Sequence, residues 1–299
     1  MKNLITKFTY LILFLLISST SLALETKRIL DQEEWAMKAA TLDWKNFEEE
    51  QEYRTNIEGV NASIKINKED FYLINREDMN QYSYWTWGKP TGDWDLLLRS
   101  VGYMLFIETN DDGYVNIEDW HNVDTDRWIK ILNEDAQEKL EEKKGQDIDL
   151  PVKYSWIKKP NLDRKKNMVF YAYEILWNDE VTSLESRTII LAKNGYSSLV
   201  FTTTDAETPY SQLANKFNNK AETFKFNEGS TYSEYKTGDK VAAVGIGALL
   251  ATTLGVKALN PGLLATLGKL FAKFWYIILL PFIFIGKLID SLKTKRKRR

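Results

Sequence analysis

The pattern of apolar and polar residues predicts three helices. From Thr125 to Lys144 the apolar residues fall on one face of a helix, and Gly145 follows as a stop signal. A second helix is predicted from Pro209 to Ala221, because proline is favoured in the first turn of a helix. A third, largely exposed helix is predicted over Asp31 to Arg54, where apolar residues are scattered among charged neighbours.

Strands are predicted around these helices, in short runs rich in β-branched and aromatic residues. The runs are Ala62 to Ile66, Tyr103 to Thr109, Val152 to Ile157, Met168 to Trp177, Arg187 to Ala192 and Ser197 to Thr204. Between the last two, the pair Asn194-Gly195 favours a tight hairpin turn. Because strands and helices do not alternate regularly, we predict an α+β fold with a mainly antiparallel sheet and flanking helices, followed by a C-terminal transmembrane helical segment.

The N-terminus has the layout of a signal peptide. Two lysines precede the apolar run Phe8 to Ile17, and Ser21 and Ala23 are small residues at the positions that signal peptidase accepts. The apolar run is shorter than the roughly 20 residues needed to cross a bilayer, which favours cleavage over the alternative of an uncleaved anchor. We therefore predict a signal peptide over residues 1–23 and one exported α+β domain over residues 24–237.

The C-terminal region is predicted to attach the chain to a membrane. The membrane segment, residues 238–292, contains the apolar stretches 241–256 and 270–286, separated by the helix-breaking Asn260-Pro261-Gly262. A basic tail, residues 293–299, follows. Positive residues favour the cytoplasmic side, so we predict one crossing, with the other stretch at the interface or packed against its neighbour. The alternative is a hairpin of two crossings, which would leave the tail outside.

Small residues recur at every fourth position of the first apolar stretch. On a helix they would form one face that another helix backbone can approach closely. The alternative is that glycine and alanine are simply common in membrane helices. The residues of this predicted membrane helix contact are Ala243, Gly247, Ala251 and Gly255.

The charge of the chain is distributed unevenly. The net charge of −2 combines −14 over residues 24–239 with +10 over residues 240–299 and +2 before them. An acidic domain repels phosphate backbones, so nucleic acid is not an expected partner. The chain has no cysteine, so the domain must rely on a packed core. The expected partners are the lipid bilayer and either a second copy of the chain or another envelope protein.

Several short motifs follow one another in a defined order along the chain. They are Trp87-Gly88-Lys89-Pro90, Asp111-Asp112-Gly113-Tyr114-Val115, Trp156 with Pro160, Phe226-Asn227-Glu228-Gly229 with Tyr232, Gly238 to Gly245, Lys273-Phe274-Trp275 and the basic C-terminal end. In this order the motifs resemble a family of bacterial membrane-anchored proteins, the domain of unknown function 2167 family. The resemblance implies a signal peptide, an exported α+β domain and a C-terminal anchor. It also implies a place in the inner membrane, with the main domain exported to the periplasm, and it implies no catalytic residue.

Few enzyme classes fit the residues available. His121 is the only histidine, and with no cysteine in the chain, histidine-rich zinc sites and thiol chemistry are excluded. A carboxylate-dependent hydrolase remains an alternative, since two acids suffice for glycoside cleavage, but no spacing singles out a pair. We predict no catalytic residue and no cofactor, and a non-enzymatic interaction or accessory function.

Residues 108–119 resemble a calcium-binding loop, which makes a calcium- or ligand-binding module the main alternative function. Oxygen-bearing side chains occupy ligand positions and Gly113 occupies the sixth position. However, a strand precedes the loop, so we favour an acidic turn with Asp112-Gly113 at its tip. The candidate metal ligands are Glu108, Asn110, Asp112, Asn116 and Asp119.

An aromatic cluster is a second candidate for ligand binding. If exposed, these rings could stack on sugars or peptides. Burial in the core is the favoured alternative, because large aromatic residues usually pack inside. The cluster consists of Tyr82, Tyr84, Trp85, Trp87 and Trp94.

Overall fold

The computed structural model describes residues 32–46, 51–57, 60–87, 94–146, 148–203 and 207–256. The N-terminal segment 1–23, the stretch 270–286 and the tail 293–299 therefore lie outside the described residues. Within the described ranges the α-helices are α1 (Gln32–Ala39), α2 (Arg76–Trp87), α3 (Thr125–Glu142), α4 (Tyr210–Ala221) and α5 (Ile246–Thr253).

The strands of the described residues form two antiparallel sheets. The strands are β1 (Gln51–Ile57), β2 (Val60–Ile66), β3 (Phe71–Leu73), β4 (Trp94–Ser100), β5 (Tyr103–Asn110), β6 (Pro151–Asp163), β7 (Met168–Trp177), β8 (Thr182–Leu191), β9 (Tyr196–Thr203) and β10 (Lys225–Phe226). A seven-stranded sheet has the order β3-β4-β5-β9-β8-β7-β6, and a three-stranded sheet has the order β1-β2-β10. This confirms the predicted α+β fold with a mainly antiparallel sheet.

The predicted hairpin joins β8 and β9 at the centre of the large sheet. Leu191 pairs with Tyr196, and the amide of Ala192 donates to the carbonyl of Gly195 at 2.8 Å. A Cβ atom at Gly195 would lie 1.8 Å from the carbonyl oxygen of Asn110. Gly195 is therefore required by the close approach of β5, in addition to the turn itself.

One face of the large sheet is covered by α4 and the small sheet. Phe217 of α4 stacks on Phe201 of β9 with ring centroids 5.0 Å apart, and both side chains are fully buried. The small sheet contributes Ala62, Ile64 and Ile66 to the same core. A buried ion pair closes this core, because Lys220 donates to Asp70 at 3.0 Å.

The opposite face is covered by α3, whose predicted apolar face is confirmed. Trp128, Leu132 and Ala136 are buried against the sheet. Asn133 fixes the helix to β6 by donating to the carbonyl of Tyr154 at 3.0 Å and accepting from its amide at 2.7 Å. Trp156, which belongs to one of the quoted motifs, lies on this face and donates to the carbonyl of Thr125 at 3.2 Å.

Near the N-terminus, one predicted helix is wrong and another helix was not predicted. The helix predicted over Asp31 to Arg54 ends at Ala39, and β1 starts at Gln51 and pairs with β2 along its whole length. Local composition favoured a helix, but pairing with β2 decides the conformation. The aromatic segment around Tyr82 forms α2, which the sequence analysis did not predict.

The first apolar stretch, 241–256, folds onto the domain. Its helix α5 has eight residues, of which Ile246, Leu249 and Leu250 are buried in the core beside α3. The sequence pattern assigned this stretch to a membrane segment. In the structure, its apolar side chains pack into the core of the domain. Among the described residues, no helix has both the length and the apolar character needed to cross a bilayer.

Candidate functional site at the junction of residues 111–119 and 229–256

Two of the quoted motifs meet in space. The motif loop (residues 111–119) and the return segment (residues 229–256) are joined by a parallel bridge between Tyr114 and Val241. The amide of Tyr114 donates to the carbonyl of Lys240, and the amide of Ala242 donates to the carbonyl of Tyr114, both at 2.9 Å. Lys240 also donates its ammonium to the carbonyl of Asp111 at 2.6 Å. The return segment therefore pairs with the loop as an added strand would.

Gly113 lies at the tip of the motif loop, as the predicted turn requires. Its φ of +108° is in the region that favours glycine, and its amide donates to the carbonyl of Asn194 at 2.9 Å. A Cβ atom here would lie 2.8 Å from the amide nitrogen of Ala242. Glycine is thus needed both for the turn and for the contact with the return segment.

A stack of three tyrosines fills the junction. The ring of Tyr114 lies 4.5 Å from that of Tyr232 and 4.0 Å from that of Tyr235, both nearly parallel. The hydroxyl of Tyr232 donates to the carbonyl of Val115 at 2.7 Å. Burial raises the pKa of Tyr232 well above its ordinary value, so its hydroxyl stays a neutral donor.

Glu234 organises the first turn of the return segment. Its carboxylate accepts from the Thr231 hydroxyl at 2.6 Å and from the backbone amides of Gly229 and Thr231 at 2.8–3.0 Å. The hydrogen bond from the Thr231 hydroxyl and those from the two amides lower the pKa of Glu234. Lys193 of the β8–β9 turn joins the same region, since its amide donates to the carbonyl of Ser230 at 3.0 Å.

Asp119, a predicted metal ligand, lies at the start of α5. Its carboxylate accepts from the amide of Gly247 at 3.1 Å, and a Cβ atom on Gly245 would lie 2.6 Å from the same oxygen. Burial raises the pKa of Asp119, and the backbone hydrogen bonds at the helix start act in the opposite direction. Asp119 therefore satisfies the exposed amides of a helix terminus.

The other four predicted calcium ligands are not arranged as a calcium loop. Asp112 is exposed at the turn, and Asn116 accepts from the amide of Glu118 at 2.7 Å. Asn110 donates to Glu108 at 3.4 Å, within the extended strand β5. Among the described residues, no cluster of three or more acidic or histidine side chains could hold a metal ion. The strand keeps the early positions apart from Asp119, so the acidic turn is the observed arrangement.

The four small residues of the predicted membrane contact do not share one helix face. Ala243 precedes α5 and is exposed, and Gly255 follows it with a φ of +73°, typical of a helix end. Gly247 and Ala251 are buried within the same domain, where Gly247 lies beside Asp119 and Val123. The small side chains of Gly247 and Ala251 allow α5 to pack closely against its own chain.

A charged cluster beneath α5 was missed by the sequence analysis. The Arg187 guanidinium donates to the carbonyl of Thr253 at 2.6 Å and lies 3.6 Å from the Glu185 carboxylate. Tyr173 donates its hydroxyl to Glu185, and the hydroxyls of Tyr171 and Thr253 are 3.2 Å apart. Burial raises the pKa of both tyrosines. The alternation of Glu185, Arg187 and Ile189 along β8 places all three on one face, which is the signal that could have identified the cluster.

The aromatic cluster around Tyr82, for which burial was the favoured interpretation, lies largely in the protein interior. Tyr82 is 1% exposed and contacts Trp44 edge to face at 5.8 Å, and Trp94 packs on Phe106 at 4.3 Å. Trp85 is half-buried in the same cluster. Tyr84 is half-buried, and Trp87 is the last residue of α2.

His121 lies on the surface of a 3-10 helix, Glu118–Asn122. Its Nδ1 atom is 2.7 Å from the carbonyl oxygen of Glu118, a contact within the same turn. The imidazole is exposed to solvent.

Comparisons with known proteins give one family and a distant structural likeness. No curated protein matches the chain. The solution structure of cyanobacterial PsbP (CyanoP) from Synechocystis sp. PCC 6803 is similar with a TM-score of 0.37 and 11% identity, over 61% of this chain and 95% of that one. The family described as "Protein of unknown function (DUF2167)" matches residues 49–283, which include the whole junction. The chain therefore belongs to the DUF2167 family.

Proposed function

We propose that the protein is a membrane-anchored, non-enzymatic accessory protein of the bacterial cell envelope, with its main domain exported to the periplasm and acting through protein contacts. The observation that supports this proposal is the attachment of the return segment to the domain. The segment is fixed at Lys240 and Ala242 by the backbone of Tyr114, and at Thr253 by Arg187. The described residues end at Val256, shortly after Thr253, and the apolar stretch 270–286 follows later in the sequence.

The short distance along the chain keeps the domain close to the proposed anchor. From Val256 to Leu270 there are 14 residue steps in the sequence. Even a fully extended chain covers only about 3.5 Å per residue, so this connection spans at most roughly 50 Å. A partner of the domain would therefore be an envelope protein, or a second copy of this chain, located near the membrane surface.

The charge distribution supports contact with proteins rather than with lipid headgroups. The domain carries −14 over residues 24–239 and is repelled by anionic headgroups, whereas the region 240–299 carries +10. The basic tail 293–299 would hold the cytoplasmic side of a single crossing.

Single-cysteine labelling tests the topology, because the natural chain contains no cysteine. Lys295→Cys should resist a membrane-impermeant maleimide in cells with a permeabilised outer membrane and react after detergent lysis. Val101→Cys, at a site that is 75% exposed on the domain, should react in both conditions. Reaction of Lys295→Cys before lysis would contradict the cytoplasmic tail, and protection of Val101→Cys would contradict export of the domain.

Crosslinking in membranes tests the accessory role. The full chain should give discrete crosslinked species, and a chain ending at Val256 should leave the membrane fraction and lose them. Mass spectrometry of the species then distinguishes a second copy from another envelope protein. Recovery of the same species from the shortened chain would show that anchoring is not needed for the contact.

A further inference from the structure

A cavity of about 400 Å³ lies beside the return segment, between the β6–β7 turn, the end of β8 and strand β10. This volume is within the range of about 300–1,000 Å³ typical of small-molecule sites. Apolar side chains form most of its floor, and polar side chains form its rim. The floor includes Met168, Ile190, Phe224 and Phe226, and the rim includes Lys166, Glu222, Lys225 and Thr231.

The β6–β7 turn forms one wall of the cavity and is fixed by local hydrogen bonds. The carboxylate of Asp163 accepts from the amides of Lys165 and Lys166 at 2.9 and 3.1 Å. Asn167 adopts a φ of +51°, and its carbonyl accepts from the amide of Leu191 at 2.9 Å. This wall is therefore held by the protein itself.

The return segment forms the opposite wall and is equally fixed. Thr231 bridges Ala192 and is held by the Glu234 carboxylate, and Tyr232 is bound to Val115 through its hydroxyl. Phe224 and Phe226 pack edge to face at 5.3 Å. A preformed cavity loses less conformational entropy when a ligand binds, which favours affinity.

The rim is cationic, although the domain as a whole is acidic. Lys166 is paired with Glu222 at 2.7 Å, so its charge is largely balanced. Lys225 is exposed and has no ion pair among the described residues, and Arg164 lies in the same turn as Lys166. The cavity thus combines an apolar floor with a local excess of positive charge.

We propose that this cavity binds a small anionic amphiphile, with an apolar body on the floor around Met168 and Phe224 and a carboxylate at the Lys225 ammonium. An apolar body matches the floor through the hydrophobic effect, and the single anionic group matches the unpaired cation. This binding function goes beyond the proposed accessory role and does not depend on membrane anchoring.

Photolabelling of the full chain in membranes tests the proposal. The probe is an octanoate analogue carrying a diazirine on its alkyl chain, and the adducts are mapped by peptide mass spectrometry. We expect adducts within residues 163–168 or 222–232, with competition by excess octanoate. Acetate lacks the apolar body and octanol lacks the charge, so each should compete at least about tenfold less well.

Charge reversal at one exposed lysine provides the matched control. Lys225→Glu should reduce labelling of these peptides about tenfold, whereas Lys130→Glu, at a side chain that is 76% exposed on α3, should leave it unchanged. Equal labelling in the two variants, equal competition by octanol, or adducts confined to other peptides would each overturn the proposal. Both lysines lie on the surface, so neither variant should lose the fold.

Discussion

The face of the large sheet covered by α4 differs in chemistry from the face covered by α3 and α5. On the α4 face, the fully buried rings of Phe201 and Phe217 meet, and the buried ion pair between Lys220 and Asp70 closes the core. On the other face, tyrosines and tryptophans contact one another and bond to backbone carbonyls, and Arg187 bonds to α5. Apolar burial tolerates small shifts, but hydrogen bonds require defined positions.

The difference indicates that the two faces have separate roles. The α4 face contributes to the free energy of unfolding mainly by burying large apolar groups such as Phe201 and Phe217, because burial of apolar surface is the dominant favourable term in folding. The α5 face positions the return segment through individual polar contacts. Variants on the two faces should therefore differ in both the size and the location of their effects.

Phe217→Ala should have the largest effect, a loss of about 3–5 kcal/mol in the free energy of unfolding. The ring is fully buried and stacks on Phe201, so its removal leaves a cavity at the centre of the α4 face. Urea denaturation of the full chain in mild detergent, followed by tryptophan fluorescence, measures the change. The exposed Asn219→Ala on the same helix should stay within about 0.5 kcal/mol. A loss below about 1 kcal/mol for Phe217→Ala would contradict the assignment of the core to this face.

Arg187→Met should cost about 2–3 kcal/mol, because it leaves Glu185 without its cation and the Thr253 carbonyl without its donor. This value is at the low end for buried pairs, since the Arg187 and Glu185 side chains are 21% and 23% exposed. Hydrogen exchange should accelerate in α5 while β9 stays protected. Adding Glu185→Gln should recover part of the loss. Unchanged exchange in α5 would show that Arg187 does not fix the return segment.

Tyr232→Phe should cost about 1–2 kcal/mol, because the carbonyl of Val115 loses its buried donor while the ring stays in the stack. Tyr235→Phe, in the same stack, is the matched control and should stay within about 0.5 kcal/mol. The same denaturation experiment measures both. Similar losses for the two variants would mean that the stacking, rather than the hydrogen bond to Val115, holds the junction.

Asp119→Asn should have the smallest effect, visible mainly in its pH dependence. Burial raises the pKa of folded Asp119 above its ordinary value of 3.8, so the folded state favours the protonated form. The corresponding stability is present below pH 3.8 and is lost as the pH rises through the raised pKa. Asparagine does not titrate and can still accept from Gly247. The stability of the natural chain relative to Asp119→Asn should therefore fall as the pH rises from 3.8 through the raised pKa, and a constant difference would contradict the buried carboxylate.

Sequence patterns predicted much of the sheet and two of the helices. The helix at α3 follows from apolar spacing, and the β8–β9 hairpin follows from Asn194-Gly195, because both depend on residues close in the chain. The helix predicted to Arg54 was wrong because β1 pairs with β2, and pairing energies are not encoded in local propensity. The segment forming α2 was not predicted, since its aromatic residues have no clear helical spacing.

The sequence predicted the separate segments of the candidate site but not the contact between them. The motif loop and the glycine-rich stretch after Gly238 were both identified from sequence, and their contact depends on residues more than a hundred positions apart, such as Tyr114 and Lys240. Arg187 and Glu185 were missed because a charged pair on a strand looks like a solvated surface until a helix covers it. Asp119 was identified for its oxygens, and in the structure its carboxylate accepts a hydrogen bond from the amide of Gly247.

The sequence by itself determined the fold class, the family, the absence of cysteine chemistry and the opposite charges of the domain and the C-terminal region. These properties depend on composition and local order, which require no knowledge of distant contacts. Only the tertiary structure decided what the apolar stretch 241–256 does, because a buried core helix and a membrane helix are both apolar. The environment distinguishes them: α5 lies on Tyr171 and Arg187 of its own sheet, held by its own chain.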